Sequence, residues 1–448
     1  MHRLPFRPVA IQPFRFLHTG DLHLDSPFSG LVGEAPEQVA SALRSATLSA
    51  WERVVALAIR ERVDFVVVAG DVFEHANRTL LAQVRFRDGL ARLGQQGIAS
   101  YVVTGNHDPL SGWEPSVEWP ASVHRFGADE VGECPVLRDG VEIARVYGIS
   151  YPRRDVSENL ALRFRRAPEA PFAVGLLHAN VGSQPGHYPY APCSLGDLRA
   201  SGIDYWALGH VHRPAILSLE APTVVYCGNP QGRDPGEADP RGCWIVEVDA
   251  GGRARPHFHA VDVVRWRLVE LSLDGIEGEE ALMDAVVGAV EAAQADAGRS
   301  VVVRVTLTGR APLHRALRRP GLRDELRQLA QERLPLTTPF AWIESLRDAT
   351  LPSVDLATAG APGTFLGELL DESSRAREAI RSAESAPEAG AGGDEQMALI
   401  EWEERLDPLY AHARAGRVLR GSRPSPERLA ELLEEAERLV VDRLVESG

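Results

Sequence analysis

Lysine is absent from this chain, and all 48 of its basic residues are arginine. That bias reflects GC-rich coding and carries no mechanistic weight. Cysteine is scarce: Cys134, Cys193, Cys227 and Cys243 are four in 448 residues. So few cannot build a disulfide framework, and with no CxxC pair a ribbon-type structural zinc is excluded as well. A reducing cytoplasm is the compartment this favours. Long apolar runs are missing too. No stretch approaches the ~18 consecutive apolar residues of a membrane-spanning helix. The opening MHRLPFRPVAIQPFRF lacks the apolar core of a secretory signal peptide.

What is present is an ordinary globular composition, 44% hydrophobic and 25% charged, neither wholly disordered nor membrane-embedded. At roughly 100–200 residues per domain, the length predicts several domains. The net charge of −15 is uneven: residues 351–448 hold 11 Arg and 20 Asp plus Glu, leaving a net of −6 on residues 1–350. The tail is therefore the poorest candidate for touching phosphate. One basic cluster stands out, Arg153, Arg154, Arg163, Arg165 and Arg166. It reads either as a solvated loop and helix face or as a patch that tracks phosphates.

Strand and helix signals alternate. Strands are expected at 14–18, 64–69, 98–104, 142–149, 172–177, 205–208, 223–227 and 243–248, with helices at 36–62 and 78–95 between the first three. Valine-rich runs such as Phe65-Val66-Val67-Val68 read as strands buried on both faces. From Trp266 a second unit reads β (266–272), α (278–295), β (300–308), α (321–333), β (338–345). Residues 382–396 are small, polar and acidic, as in a linker or surface loop. Ser425-Pro426-Glu427 starts a last helix. Its apolar stripe, Leu429, Leu432, Leu433, Ala436, Leu439, Val440 and Leu444, either packs on the protein's own body or binds a partner.

Chemistry collects where strands stop: Asp21-Leu22-His23, Gly70-Asp71, Gly105-Asn106-His107-Asp108, His178 and Gly209-His210-Val211-His212. Open α/β sheets build their sites there. The motifs offer oxygen and imidazole without thiolate, a set that suits Mn, Fe or Zn. At a strand end, residues two apart can reach the same side, so Asp21 and His23 can share one ion. His210 and His212 can do likewise, or divide between two. A carboxylate such as Asp71, placed close by Gly70, is the natural bridge between two ions that clamp a phosphoryl group. His18, His75, His124, His187, His257 and His259 lie outside the set, with His187 held open as a neighbour of His178 in a Gly/Pro/Tyr loop.

In these five motifs, spread over residues 14–260, the sequence resembles the calcineurin-like metallophosphoesterases. FLHTGDLHLDSPF (16–28), LLHANVG (176–182), PYAPCSLGDL (189–198) and YCGNPQGR (226–233) are most similar to DNA-repair exonucleases of the SbcD type, in the YhaO-like branch. After Arg233 the chain departs from that pattern, with a more acidic and proline-rich DPGEADPRG. The resemblance implies a four-layer α-β-β-α sandwich (1–265), a smaller α/β capping domain (266–345) and a helical C-terminal region (346–448) that could dock a partner. It implies two divalent ions, Mn²⁺ by habit of the family with Fe or Zn as alternatives. Asp21, His23 and His212 would hold one, Asn106, His178 and His210 the other, and Asp71 would bridge. His107 would stabilise the scissile phosphate and protonate the leaving oxygen, with Asp108 orienting its ring. Arg233 would contact substrate.

The implied reaction is phosphodiester hydrolysis by hydroxide activated at the two ions, on DNA, as an exonuclease or endonuclease in repair. Implied partners are DNA, a coiled-coil ATPase of the SbcC kind and a second copy of the chain, with no membrane. A phosphodiesterase or phosphatase for a small ester fits the same motifs. A regulatory subunit of an ATPase complex is the reading from another class.

Overall fold

The computed structural model describes residues 11–26, 28, 35–74, 79–111, 117–182, 188–335, 337–353, 363–385 and 426–446. It divides into two compact units, Met1–Val269 with Val287–Val305 and Ala330–Ser345, and Glu270–Val286 with Thr306–Leu329 and Leu346–Gly448.

In chain order the first part comprises β1 (Phe14–Thr19), α1 (Glu37–Arg60), β2 (Phe65–Ala69), α2 (Leu80–Gln95), β3 (Ala99–Val103), β4 (Val123–Arg125), β5 (Gly132–Arg138), β6 (Val141–Gly148), β7 (Ala173–His178), α3 (Leu195–Ala200), β8 (Tyr205–Gly209), β9 (Ala215–Ser218), β10 (Thr223–Tyr226), β11 (Gly242–Val248) and β12 (Ala254–Ala260). The strands form two six-stranded sheets, β12-β11-β1-β2-β3-β4 and β5-β6-β7-β8-β10-β9. Strands β1 to β4 run parallel, as do β6, β7, β8 and β10, with antiparallel neighbours only at the edges.

The apolar runs are continuous because both faces of each central strand are covered. In β2, Phe65, Val67 and Ala69 enter the core shared by the two sheets. Val66 and Val68 point the other way, onto Trp51, Val54 and Ala58 of α1 and Phe86 and Leu90 of α2. In β8, Tyr205 and Ala207 enter the shared core, and Trp206 and Leu208 pack outward with Leu198 of α3. Two sheets face to face with helices outside make the four layers. Helix α1 buries Val39, Leu43, Ala46, Ala50, Val54 and Ala58 at helical spacing. Helix α2 starts at a side-chain cap, Thr79 accepting from the Ala82 N–H at 3.1 Å.

The remaining elements are β13 (Val264–Ser272), α4 (Glu279–Ala297), β14 (Ser300–Thr308), β15 (Arg310–Ala311), α5 (His314–Leu317), α6 (Leu322–Arg333), β16 (Ala341–Asp348), β17 (Leu351–Pro352), α7 (Phe365–Ser385) and α8 (Pro426–Glu446). The expected β-α-β-α-β run is present, with sheet order β13-β14-β16. Within the first unit, Trp266, Val302, Phe340 and Trp342 pack on Phe28, Val39 and Leu43.

In the second unit α7 and α8 pair. Leu429, Ala430 and Leu433 close on Ile380, and Arg377 meets Glu437 at 2.7 Å. The apolar stripe read from the sequence is wider than this contact. Leu432 and Val440 stay exposed, and Val441, outside the stripe, is buried. One partner helix covers only a narrow face, so an apolar stripe does not by itself say which of its residues are buried. The expected linker begins later than its composition suggested, since α7 runs to Ser385. Residues 386–396, Ser425, His75, His187 and the side chains of Leu439 and Leu444 lie outside the described residues.

Phe16 stacks on Phe65, with ring centroids 4.9 Å apart, and meets Tyr205 of the facing sheet edge-on at 5.0 Å. Phe16→Ala is expected to lose about 3–5 kcal/mol of unfolding free energy in urea titration. A loss below about 1 kcal/mol would mean that this contact is not what joins the sheets.

Candidate metal centre

The C-terminal ends of β1, β2 and β3 in one sheet and of β7 and β8 in the other bring the motifs together. The loop after β1 runs beside the loop after β2: Asp21 N–H donates to Gly70 O at 2.9 Å, His23 N–H to Asp71 O at 3.1 Å and Leu24 N–H to Val72 O at 2.9 Å. The backbone turns sharply here. Asp21, His23, Asp71 and His210 have φ of +48°, +42°, +49° and +93°. Non-glycine residues rarely adopt that region, and it persists where the surroundings over-determine it.

Asp21, His23, Asp71, Asn106, His178 and His210 are buried. Ligand atoms of Asp21, His23 and His212 lie within 4.8 Å of one another, as do those of Asp21, Asp71 and His178, and of His23, Glu74 and His107. His210 joins through its ring, 5.2 Å from that of His178, and its N–H donates to both Asp21 oxygens at 3.0 and 3.1 Å.

The donor set fits divalent ions at two places. His212 Nδ1 lies 2.5 Å from Glu237 Oε1, and His23 Nδ1 lies 3.2 Å from Glu74 Oε2. A carboxylate accepts, so the His212 ring carries its proton on Nδ1 and turns its Nε2 lone pair toward His23 Nε2 at 3.1 Å, whereas His23 Nδ1, though near Glu74, makes no hydrogen bond. A proton on His23 Nε2 or a cation between the two nitrogens meets that lone pair. His178 Nδ1 donates to Ala69 O at 2.9 Å, so its Nε2 also presents a lone pair. That nitrogen meets Asn106 Oδ1 at 2.9 Å and Asp71 Oδ2 at 3.3 Å. Three converging acceptors again call for positive charge.

Burial disfavours a charged His178, yet Asp71 and Asp21 outweigh it and lift its pKa to about 9, so in the absence of a cation a second proton on the ring supplies the positive charge these acceptors call for. Burial, then the Arg233 charge, lowers His23 to about 3, leaving it neutral and able to donate a lone pair.

One assignment needs correction. Asp108 does not orient the His107 ring. Its Oδ1 accepts from Gly105 N–H at 2.7 Å and Asp71 N–H at 3.2 Å, and its Oδ2 from Val72 N–H at 2.8 Å. A short side chain at the turn clamps the neighbouring backbone loops together. Burial and the Asp71 charge raise Asp108 to about 6 against those donors. The acceptor facing His107 Nδ1 is Glu74, at 2.5 Å. Burial opposes an ionised Glu74, but the His107 hydrogen bond and the adjacent His23 ring hold its carboxyl well below the ordinary range.

Sequence reading passed over Glu74, although it stands three residues beyond Asp71 on the same strand-end loop. It also passed over Glu237, in the segment where the chain departs from its family. That segment makes a short turn, Pro235–Glu237, capped by Asp234. Arg233 sits between these carboxylates, Nη1 at 3.0 Å from Ser26 Oγ and 3.8 Å from Glu74, Nη2 at 3.6 Å from Glu237.

Of the basic cluster, Arg163 pairs with Glu158 at 2.7 Å, Arg166 with Asp204 at 2.6 Å, and Arg165 donates to Leu162 O and Phe164 O. These side chains serve local structure, which favours the solvated-face reading of the cluster. Among the described residues no helix is long and apolar enough to cross a membrane.

A family model described as calcineurin-like phosphoesterase matches residues 14–214. One described as the middle domain of metallophosphoesterase YhaO matches residues 266–351. The chain is 37% identical over 361 residues to the uncharacterized metallophosphoesterase YhaO of Bacillus subtilis, covering 80% of this chain and 87% of that one. It is 31% identical over 276 residues to the DNA double-strand break repair protein Mre11 of Haloferax volcanii, covering 59% of this chain and 56% of that protein. With the SbcD polypeptide of the Escherichia coli K12 nuclease SbcCD it shares 25% over 252 residues, 48% of this chain and 60% of that polypeptide.

A Cβ on Gly105 would stand 2.3 Å from Asp71 Oδ1 and 2.8 Å from the His178 ring. Gly105→Ala is expected to lower bound divalent metal about tenfold or more, by elemental analysis after gel filtration, with an unchanged circular dichroism spectrum. Undiminished metal content would separate this crevice from ion binding.

Proposed function

Because the chain belongs to the calcineurin-like metallophosphoesterases, we propose that it hydrolyses phosphodiester bonds of DNA as a repair nuclease, at a centre of two divalent ions, with Mn²⁺ as the activating metal. The observation that carries this reading is the convergence of Asp21, His23, Asp71, His178 and His212 beside His107, an imidazole left partly open to solvent, with Asn106 and His210 in contact with His178. The names of the Haloferax and Escherichia relatives, a double-strand break repair protein and a component of a nuclease, support DNA over other esters.

When bound, the two ions supply Lewis acidity toward the phosphoryl oxygens and lower the pKa of an attacking water. Asp21, His23 and His212 would hold the first and Asn106, His178 and His210 the second, with Asp71 available to both. Asp71 also fixes the loop after β3, its Oδ1 accepting the His107 N–H at 2.8 Å. Glu74 keeps the His107 ring oriented through Nδ1, which leaves Nε2 to hand a proton to the leaving oxygen. Burial lowers the His107 pKa, but Glu74 and Asp71 outweigh it and raise it, which favours the protonated ring. Asp108 acts as a loop clamp, and Arg233 as a tie between Glu74 and Glu237.

Residues 266–345 are the part assigned to substrate choice, and the C-terminal region to docking an SbcC-like ATPase; a homodimer and a cytoplasmic location complete the reading. The engagement of Arg163, Arg165 and Arg166 in local contacts favours the second reading, a small phosphate ester as substrate.

End-labelled single- and double-stranded DNA with Mn²⁺, beside a chromogenic phosphodiester, separates the two. Degradation of DNA that is absent in Asp71→Asn is the expected result. Hydrolysis of the small ester with DNA intact, with and without a coiled-coil ATPase, would replace the nuclease reading. His107→Ala is expected to lower kcat about 10²–10⁴-fold at unchanged metal content. A parallel loss of metal would make His107 a ligand instead of an acid.

A further inference from the structure

Beside the centre lies a further group of ligand-bearing side chains. The ligand atoms of His23, Glu74 and His107 come within 4.8 Å of one another. Glu74 stands between the two rings, Oε1 at 2.5 Å from His107 Nδ1 and Oε2 at 3.2 Å from His23 Nδ1. The ring centroids are 5.0 Å apart and the planes cross at 81°, so both Nδ1 atoms reach one carboxylate. Two imidazoles and one carboxylate are a donor set of catalytic zinc sites, where a fourth position is left to water.

Two observations point to a cation here. His23 Nδ1 is buried and makes no hydrogen bond, although it faces a carboxylate oxygen. A buried nitrogen so placed lacks the partner that burial demands. The other two side chains keep an open side, Glu74 22% and His107 27% exposed. An ion reaches them from solvent, and His23 closes the site from inside.

Two terms weaken such a site. Arg233 Nη1 lies 3.8 Å from Glu74 Oε2 and opposes a second cation. His23 Nε2 faces His212 at 3.1 Å. An ion held on that side leaves the ring's one proton on Nδ1, which must be lost before Nδ1 can bind. The site therefore fills only when metal is in excess.

We propose that His23, Glu74 and His107 form a third, weaker divalent-metal site that takes Zn²⁺ when the free ion is in excess, and that filling it stops turnover. The inference rests on the dinuclear reading above and on His107 as the acid. Two N–Zn bonds and one O–Zn bond form. Two N–H bonds break, and the Nδ1 protons of His107 and His23 go to solvent. The His23 ring then bridges two ions. Glu74, turned to the ion, no longer orients His107. Bound through Nδ1, the His107 ring is a neutral ligand that holds its Nε2 hydrogen far more tightly than an imidazolium does. It can no longer protonate a leaving oxygen.

Equilibrium dialysis of the chelator-stripped full chain against buffered Zn²⁺, followed by elemental analysis, counts the ions. A plateau at two and a further rise to three at higher free Zn²⁺ are expected. Turnover of a chromogenic phosphodiester is expected to rise with the second ion and to fall about tenfold or more with the third. Glu74→Gln and His107→Ala are each expected to stop at two ions. Arg233→Gln is expected to bring the third step to about tenfold lower free Zn²⁺, because the opposing charge is gone.

An unaltered chain that stops at two ions, or a third ion retained in Glu74→Gln and His107→Ala, would overturn the site. A third step that leaves turnover unchanged would overturn the switch. An unmoved third step in Arg233→Gln would overturn the effect assigned to that charge. Fewer than two ions in the unaltered chain would sink the dinuclear reading itself. No turnover at two ions would count against the hydrolytic reading, and the ion count would still decide the site. Should one of the two ligand variants fail to fold, as judged by thermal unfolding, the other decides.

Discussion

Phe16, Phe65 and Tyr205 meet in the apolar core shared by the two sheets, and the packing of those sheets sets the distances at the candidate metal centre. Parallel strands in one sheet end on one side, so each sheet delivers its polar loops at one edge. Neither sheet carries the whole set. β1, β2 and β3 bring Asp21, His23, Asp71, Asn106 and His107; β7 and β8 bring His178, His210 and His212. The 3.1 Å between His23 and His212 and the 3.3 Å between Asp71 and His178 span the two sheets.

That packing sustains conformations the loops would not hold alone. Four residues of the motifs carry positive φ without being glycine, at a cost of about 1–3 kcal/mol each. Two buried carboxylates, Asp21 and Asp71, add desolvation. Dense apolar clusters on both faces of each sheet offset these terms and make the strand ends rigid. Glycine appears where a side chain would collide with the ligands, as at Gly105 against Asp71 and His178. The large core and the strained site are thus two parts of one arrangement.

Around the candidate ligands runs a second set of residues that orients the imidazoles. Glu237 accepts from His212, Glu74 holds His107, peptide carbonyls face His178 and His210, and Arg233 lies between the two carboxylates. Asp108 illustrates how position misleads. Next to His107 in sequence, it turns its oxygens to three backbone N–H groups, while Glu74, from the loop after β2, reaches the ring. A tight turn directs adjacent side chains apart, and the convergence of neighbouring loops replaces the missing partner.

The central strands and the strand-end positions of the five motifs were legible in the sequence, because a valine-rich run bounded by polar residues has one good burial solution; β4, β5, β9 and β12, at or near the sheet edges and partly exposed, carry no such run and were not expected. The β-α-β-α-β run from Val264 to Asp348 was equally legible from its periodicity. Tertiary structure decided the rest. It set the partner of His107, the supporting role of Glu237 in a segment that looked only acidic and proline-rich, the local pairing of Arg163 and Arg166, and which residues of α8 are buried. Periodicity records whether a side chain prefers burial, which is a property of the residue and its neighbours in the chain. Hydrogen-bond partners and charge pairs are set by distance between loops far apart in the chain, 189 residues for His23 and His212, and only the packed sheets fix that distance.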